Sequence, residues 1–130
     1  MEADTGATIL IVDDEPGVRM VLERMLQRLG YEVLSEVNGH DALATLAHGP
    51  AIQLIVLDLG LPDMTGDQVL DQLSERGSQI PVLLSSGRSA EELADRLYAD
   101  NAVAGVLRKP FRLPELKQAV AACIGDNVPA

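Results

Sequence analysis

Several features are scarce or absent in this sequence of 130 residues, and each absence excludes a class of protein. There is one cysteine, Cys123, so no disulfide can form within the chain, and its apolar surroundings indicate a core residue rather than a reactive thiol. The start lacks the positive region of a signal peptide, and no stretch approaches the roughly 20 apolar residues that cross a bilayer. We therefore expect a cytoplasmic protein without a membrane partner.

Basic residues are also scarce: 10 Lys and Arg stand against 20 Asp and Glu, which gives a formal net charge of −10. Binding to nucleic acid or to an anionic membrane draws on clustered basic side chains, so neither is expected as a direct partner. Any phosphate group that this chain handles must come with a metal ion. The lysines, Lys109 and Lys117, therefore stand out as a small set.

What the sequence does contain is a regular alternation of strand and helix patterns. No linker, low-complexity segment or internal repeat interrupts it, so residues 1–130 are predicted to form a single domain with a core of about 8–124. Five alternations predict an α/β fold with a doubly wound parallel sheet and right-handed crossovers. The predicted strands are 8–12, 31–37, a run ending at Asp58, 81–85 and 103–107; the predicted helices are 16–29, 41–48, 66–76, 91–98 and 113–124.

Polar residues end four of these strands. Asp13 and Asp14 follow the first strand, Asp58 ends the third, Ser86 follows the fourth and Lys109 follows the fifth. Each has an ordinary explanation alone, as a helix-dipole partner, a turn residue or a solvated lysine. Because ligands of such sheets bind beyond the carboxyl ends of the strands, we expect the whole set to meet at one edge.

The chemistry of this set is coherent. Carboxylates are the ligands that Mg²⁺ prefers, and the ion usually shares one or two of them with a phosphate group. A further carboxylate can attack phosphorus to give an acyl phosphate, provided that a cation absorbs the charge on the transferred group. Lys109 is suited to that role, and the Ser86 hydroxyl can donate a hydrogen bond to a phosphoryl oxygen.

At these residues the sequence resembles the receiver domain of bacterial two-component response regulators, stand-alone or at the C-terminal end of a hybrid sensor histidine kinase. The motifs follow the family's order from about residue 8 to 124: Asp13-Asp14, Asp58 with Leu61-Pro62 and Gly66, Ser86-Gly87, and Lys109-Pro110-Phe111. The resemblance implies a flavodoxin-like sheet of strand order 2-1-3-4-5 with five helices. It implies a phosphoacceptor in a phosphorelay and not an enzyme in the usual sense, with at most self-catalysed phosphorylation and hydrolysis.

The resemblance also implies the roles of individual residues. Asp58 would accept a phosphoryl group from a histidine kinase or a histidine phosphotransfer domain. Mg²⁺ would be held by Asp14, Asp58 and the Gly60 carbonyl, and by Asp13 through water. A cis peptide bond between Lys109 and Pro110 would aim the lysine inward.

Phosphorylation is expected to switch a protein-interaction surface made of the helix 89–100, the strand 103–107 and the last helix. The same face is a possible homodimer interface, whereas the downstream partner cannot be read from the sequence. The family's usual switch aromatic is replaced by Val106, so its familiar coupling to Ser86 cannot operate as usual. Gly60 and Arg88 occupy the positions that tune the access of hydrolytic water in this family.

Two other functions fit part of the pattern. A haloacid-dehalogenase-type phosphatase also uses a nucleophilic Asp, Mg²⁺ and a Lys, but it needs a second Asp where this chain has Gly60. A degenerate receiver would act only as an interaction module, and it would lack an acid or the lysine. His40 and His48 flank the second predicted helix, away from the acidic edge, and are predicted to be surface residues.

Overall fold

The computed structural model describes residues 6–87 and 102–124, and the predicted helix at 91–98 lies outside them. The described residues form five strands and four helices: β1 (Thr8–Val12), α1 (Pro16–Arg28), β2 (Glu32–Glu36), α2 (Gly39–His48), β3 (Leu54–Asp58), α3 (Gly66–Glu75), β4 (Val82–Ser86), β5 (Val103–Arg108) and α4 (Leu113–Ile124). All neighbouring strands are parallel, in the order β2-β1-β3-β4-β5. The predicted flavodoxin-like, doubly wound fold is therefore confirmed.

The second and fourth strands differ from the prediction at both ends for reasons of hydrogen bonding, and the fifth strand extends one residue further, to Arg108. The second strand was predicted at 31–37, but β2 pairs only with β1, from Thr8 with Glu32 to Val12 with Glu36, so it is no longer than its partner. The fourth strand begins after Pro81, because proline has no amide hydrogen to donate to a ladder. Its other end extends to Ser86, which pairs with Arg108.

The core lies in two layers, one on each face of the sheet. The first core cluster packs between the sheet and the helices α2 and α3, and the second packs between the sheet and the helices α1 and α4. Adjacent residues of one strand alternate between them: Leu10 belongs to the first and Ile9 to the second, and both side chains are fully buried. Burial on both faces explains why the central strands are uninterrupted apolar runs.

The helices begin and end at residues suited to those positions. The Asn38 side chain caps α2 by accepting a hydrogen bond from the Asp41 amide, and Thr65 and Gln68 form a reciprocal capping box at the start of α3. Gly30 follows α1 with a φ of 97°, a left-handed conformation that glycine adopts without strain. Local sequence therefore fixes where the loops at the edges of the sheet begin.

A bulge interrupts the pairing of β4 with β5. Val82 pairs with Val103, but Leu83 pairs with Gly105, so Ala104 is an extra residue in β5. The two sides of the bulge face different layers, because Val103 belongs to the first core cluster and Leu107 to the second. Beyond the bulge the register continues to Ser86 and Arg108.

Cys123 packs on the sheet from α4. It is partly buried against the second core cluster, and a Cβ atom on Gly105 would lie 3.4 Å from its Sγ atom. Burial raises the pKa of the Cys123 thiol to about 11, which leaves little thiolate at neutral pH. The prediction of a packing residue is confirmed. Within residues 6–87 and 102–124, no helix has the length and apolar character that crossing a bilayer requires.

Candidate functional site

Three carboxylates and one lysine meet at the carboxyl ends of the strands. Asp13, Asp14 and Asp58 each offer an oxygen atom such that the three atoms lie within 4.8 Å of one another. The Nζ atom of Lys109 lies 3.2 Å from Asp58 Oδ1 and 3.3 Å from Asp13 Oδ2. Asp13 and Asp58 are buried, whereas Asp14 is exposed. The site therefore combines two desolvated acids, one solvated acid and one cation.

The position of Lys109 follows from the β5 strand and the turn after it. Its amide donates a hydrogen bond to the Ser86 carbonyl at 2.8 Å, which extends the ladder by one residue beyond Arg108. The Lys109–Pro110 peptide bond is cis, as the family resemblance implied. The lysine side chain starts beside the edge strand β5 and reaches Asp58 at the end of β3 and Asp13 just after β1, so it crosses over the end of β4.

Burial and the neighbouring charges shift two ionisation equilibria at this site. Burial, with the charge of Asp13 as a second cause, raises the pKa of Asp58 above its ordinary value, although Lys109 and a backbone hydrogen bond from Gly60 oppose the shift. For Lys109, burial lowers the pKa, but the charges of Asp58 and Asp13 outweigh it and hold the pKa above the usual value. Lys109 is therefore the neighbour that most favours the ionised form of Asp58.

Two buried hydroxyl groups at the end of β4 have no hydrogen-bond partner among the described residues. The Oγ atoms of Ser85 and Ser86 are buried, and neither has a hydrogen-bond partner within the described part of the chain. Ser86 was singled out from the sequence, whereas Ser85 was passed over as part of the strand. The signal was present, because Ser85 is a polar residue in a fully buried strand whose preceding residues are all apolar.

The loop between Asp58 and α3 is fastened to the start of α2. Asp63 accepts hydrogen bonds from the Gly39 and His40 amides, both at 2.9 Å. Although desolvation acts to raise it, these two bonds lower the pKa of Asp63 below its ordinary value. Met64 packs on Gly39, where a Cβ atom would lie 2.7 Å from its sulfur atom. No local sequence signal predicts this contact, since the partners are 23 and 24 residues apart.

The remaining candidate residues lie around this centre. Gly60 is exposed, and a Cβ atom there would be 3.6 Å from Asp58 Oδ2, so a glycine leaves that side of the carboxylate open. Val106 pairs with Leu84 and packs, partly buried, against the first core cluster. Arg88 lies outside the described residues. His40 and His48 are exposed, as predicted.

The sequence model of the family described as "Response regulator receiver domain" matches residues 9–121. This chain belongs to the response regulator receiver family. Receiver domains of two-component systems interact with kinases, and accepting a phosphoryl group is the function of the family. The family assignment favours a receiver over the haloacid-dehalogenase alternative.

Individual relatives agree with this assignment. The chain is 36% identical over 116 residues to the sensor kinase CckA of Brucella abortus (strain 2308), covering 88% of this receiver and 12% of that protein. It is 36% identical over 121 residues to the regulator of RpoS of Escherichia coli (strain K12), covering 92% and 35% respectively. The receiver thus spans well under half the length of either relative.

A solved structure supports the same conclusion. The chemotaxis response regulator CheY4 of Vibrio cholerae matches with a TM-score of 0.77 and 28% identity, and the alignment covers 88% of this receiver and 95% of that chain. The order and direction of the strands described above are thus those of a receiver.

Proposed function

We propose that Asp58 is the phosphoacceptor of this receiver and that residues 1–130 form a single receiver domain with a core of about 8–124. The observation that carries the proposal is the contact of the buried Asp58 carboxylate with Lys109 Nζ at 3.2 Å, beside Asp13 and Asp14. A buried carboxylate that is fixed by a cation and open on the Gly60 side is suited to nucleophilic attack. All the residues of the acceptor set are present, which argues against a degenerate receiver.

The transfer can be written from these residues. An Asp58 carboxylate oxygen forms a bond to phosphorus while the bond between phosphorus and the donor's imidazole nitrogen breaks, and the electron pair of that bond stays on the nitrogen. Lys109 moves towards the transferred group and offsets its charge, and the Ser86 hydroxyl donates a hydrogen bond to a phosphoryl oxygen. The Ser86 Oγ atom, which has no hydrogen-bond partner among the described residues, then gains one.

The acidic cluster fits a divalent cation. Asp13, Asp14 and Asp58 supply three hard oxygen ligands within 4.8 Å of one another, with Asp14 accessible to solvent. We propose that Mg²⁺ is held by Asp14, Asp58 and the Gly60 carbonyl, and by Asp13 through water. When bound, the ion offsets the negative charge that gathers as a phosphoryl group approaches three acids.

An apolar groove beside the site is suited to the phosphodonor. It is lined by Glu15, Gly17, Val18, Val21, Lys109, Pro110 and Phe111 and has a volume of about 510 Å³. Val21 and its neighbour Met20, both on α1, have exposed apolar side chains, which commonly mark contact surfaces. We propose that a histidine kinase or a histidine phosphotransfer domain covers this groove with apolar side chains while its phosphohistidine faces Asp58.

The output is proposed to be a protein contact rather than catalysis on a small molecule. The surface expected to switch includes β5 and α4, and its remaining helix lies outside the described residues. We propose that this face, which is also the candidate homodimer interface, transmits the phosphorylation of Asp58. Val106 packs against the first core cluster in place of an aromatic ring, so the coupling must use a smaller side chain.

Labelling with acetyl phosphate and Mg²⁺ tests the proposal. The wild-type chain should form an acid-stable, alkali-labile phosphoprotein, and Asp58→Asn should abolish it. Asp71→Asn, which changes an exposed acid on α3, serves as the matched control and should label like the wild type. Undiminished labelling of Asp58→Asn would exclude Asp58 as the acceptor, and a wild-type chain that does not label at all would support a degenerate receiver.

A further inference from the structure

The Ser85 hydroxyl occupies a position where packing calls for an apolar side chain. The residue is fully buried, and its Oγ atom has no hydrogen-bond partner among residues 6–87 and 102–124. Two positions earlier in the strand, on the same face, lies Leu83 of the second core cluster. A buried hydroxyl without a partner costs free energy in the unphosphorylated chain, so a role in another state would explain it.

The register of the sheet places Ser85 beside the acceptor. Ser85 pairs with Asp58 on β3 and with Leu107 on β5. Side chains of paired residues in neighbouring strands project to the same face, so the hydroxyl lies next to the Asp58 carboxylate. Ser86, one residue later, belongs by alternation to the face of Leu84 in the first core cluster. The two hydroxyls therefore approach the site from different faces.

Lys109 also belongs to the face of Ser85. It is two residues beyond Leu107 of the second core cluster, and its side chain crosses β4 to reach Asp58 Oδ1 and Asp13 Oδ2. In the unphosphorylated chain Asp58 Oδ1 is in contact with the Lys109 ammonium group, and the Ser85 Oγ atom has no hydrogen-bond partner among the described residues. A phosphoryl group on Asp58 brings more negative charge and draws the lysine towards its own oxygens.

We propose that Ser85 is a second hydroxyl of the acceptor site. When Lys109 turns towards the phosphoryl group, Ser85 donates a hydrogen bond to the oxygen of Asp58 that is not bonded to phosphorus. Ser85 thus contacts the acyl group, whereas Ser86 and Lys109 contact the phosphoryl oxygens. It stabilises the phosphorylated state over the unphosphorylated one, because only the former gives it a partner. This inference rests on the proposed role of Asp58.

The test compares Ser85→Ala, Ser85→Thr and Ser86→Ala with the wild type. The half-life of the acetyl phosphate label and the affinity for beryllofluoride with Mg²⁺, followed by amide NMR, are measured for each. Ser85→Ala should shorten the half-life and weaken beryllofluoride binding about three- to tenfold, the effect of one lost neutral hydrogen bond. Ser85→Thr keeps the hydroxyl and should restore both values.

Thermal denaturation separates this role from a structural one. The unphosphorylated Ser85→Ala chain should melt no lower than the wild type, since the lost hydroxyl had no partner; a lower melting temperature would overturn the premise. Half-life and affinity within twofold of the wild type, or a Ser85→Thr chain as impaired as Ser85→Ala, would overturn the proposal. If Ser85→Ala does not fold, Ser85→Cys, with a weaker donor of similar size, carries the same test and should also be impaired. A wild-type chain that does not label would refute the proposed function instead.

Discussion

On the sheet face covered by α1 and α4, four rows of apolar side chains end in polar residues, whereas on the face covered by α2 and α3 the central row, that of β3, stays apolar at the same level. On the former, Ile11, Val56, Leu83 and Leu107 are followed two positions later by Asp13, Asp58, Ser85 and Lys109. On the latter, Leu57 is followed by the buried Leu59, whereas Val12, Leu84 and Val106 are followed by Asp14, Ser86 and Arg108. Along the strands the two faces pack alike, so the difference at their ends belongs to function rather than folding.

Two neighbouring substitutions test whether the two core layers contribute equally to the stability of the fold. Leu10→Ala and Ile9→Ala remove fully buried side chains from opposite faces of β1. Each should lower the free energy of unfolding by about 2–5 kcal/mol in urea titrations, because each leaves a cavity. Both chains should still label with acetyl phosphate under conditions where they are folded. A cost that differs severalfold between them would contradict the equivalence.

The two acids at the ends of the rows, Asp13 and Asp58, depend on the charge of Lys109. Lys109→Met leaves Asp13 and Asp58 without their countercharge, so unfolding should become easier by about 1–3 kcal/mol at neutral pH, and labelling should be lost. Lys117→Met, on an exposed position of α4, is the matched control and should change neither quantity. Wild-type labelling in Lys109→Met would show that the lysine is dispensable for transfer.

Asp58→Asn should raise stability in a pH-dependent way. The pKa of Asp58 is raised in the folded chain, mainly by burial and then by Asp13, so the folded chain holds this proton more tightly than the unfolded chain does. The contribution of Asp58 to stability is therefore fully present below its unfolded pKa and is lost as pH rises through the folded pKa. Asn cannot ionise, so the variant should melt a few degrees above the wild type at about pH 7 and close to it at about pH 3.

Melting curves across this pH range for Asp58→Asn and for Asp71→Asn provide the measurement. Asp71 is exposed on α3, so its substitution should leave the melting temperature nearly unchanged throughout. A gain for Asp58→Asn that is as large at the acid end as at neutral pH would contradict the assignment of the effect to ionisation.

The smallest effect is expected where the loop after β3 meets α2, on the face covered by α2 and α3. Asp63→Ala removes the acceptor of the Gly39 and His40 amides and should lower stability by about 1 kcal/mol, as the loss of a helix cap does. Because the pKa of Asp63 is lowered, its contribution is present above the unfolded pKa and is lost as pH falls through the folded pKa. Hydrogen exchange at the Gly39 and His40 amides should be faster in Asp63→Ala than in the wild type. Asp63→Asn keeps one oxygen acceptor, so its exchange rates should lie between those of the wild type and of Asp63→Ala.

The strands and the polar residues at their ends could be predicted from the sequence, because both follow from the order of neighbouring residues in the chain. The apolar runs that form β1 and β3 are contiguous, and the polar residues that follow each strand are next to it in the chain. The contact of Asp63 with α2 was not predictable, since nothing near Asp63 specifies a partner more than 20 residues away. Ser85 was missed for a different reason: its importance depends on the register with Asp58, which exists only once the strands pair.

The bulge that accommodates the extra residue in β5 keeps the cation on the side of the sheet that carries Asp58. Val103 and Leu107 are an even number of residues apart, and in a regular strand they would share one side; the bulge at Ala104 changes this parity. If Val103 kept its place and Ala104 were paired in a regular ladder instead of being bulged out, Lys109 would emerge on the side opposite Asp58. A receiver can therefore carry every acid, hydroxyl and lysine of the acceptor set in the right order and still place its lysine on the wrong side of the sheet, if one alanine is not accommodated as a bulge.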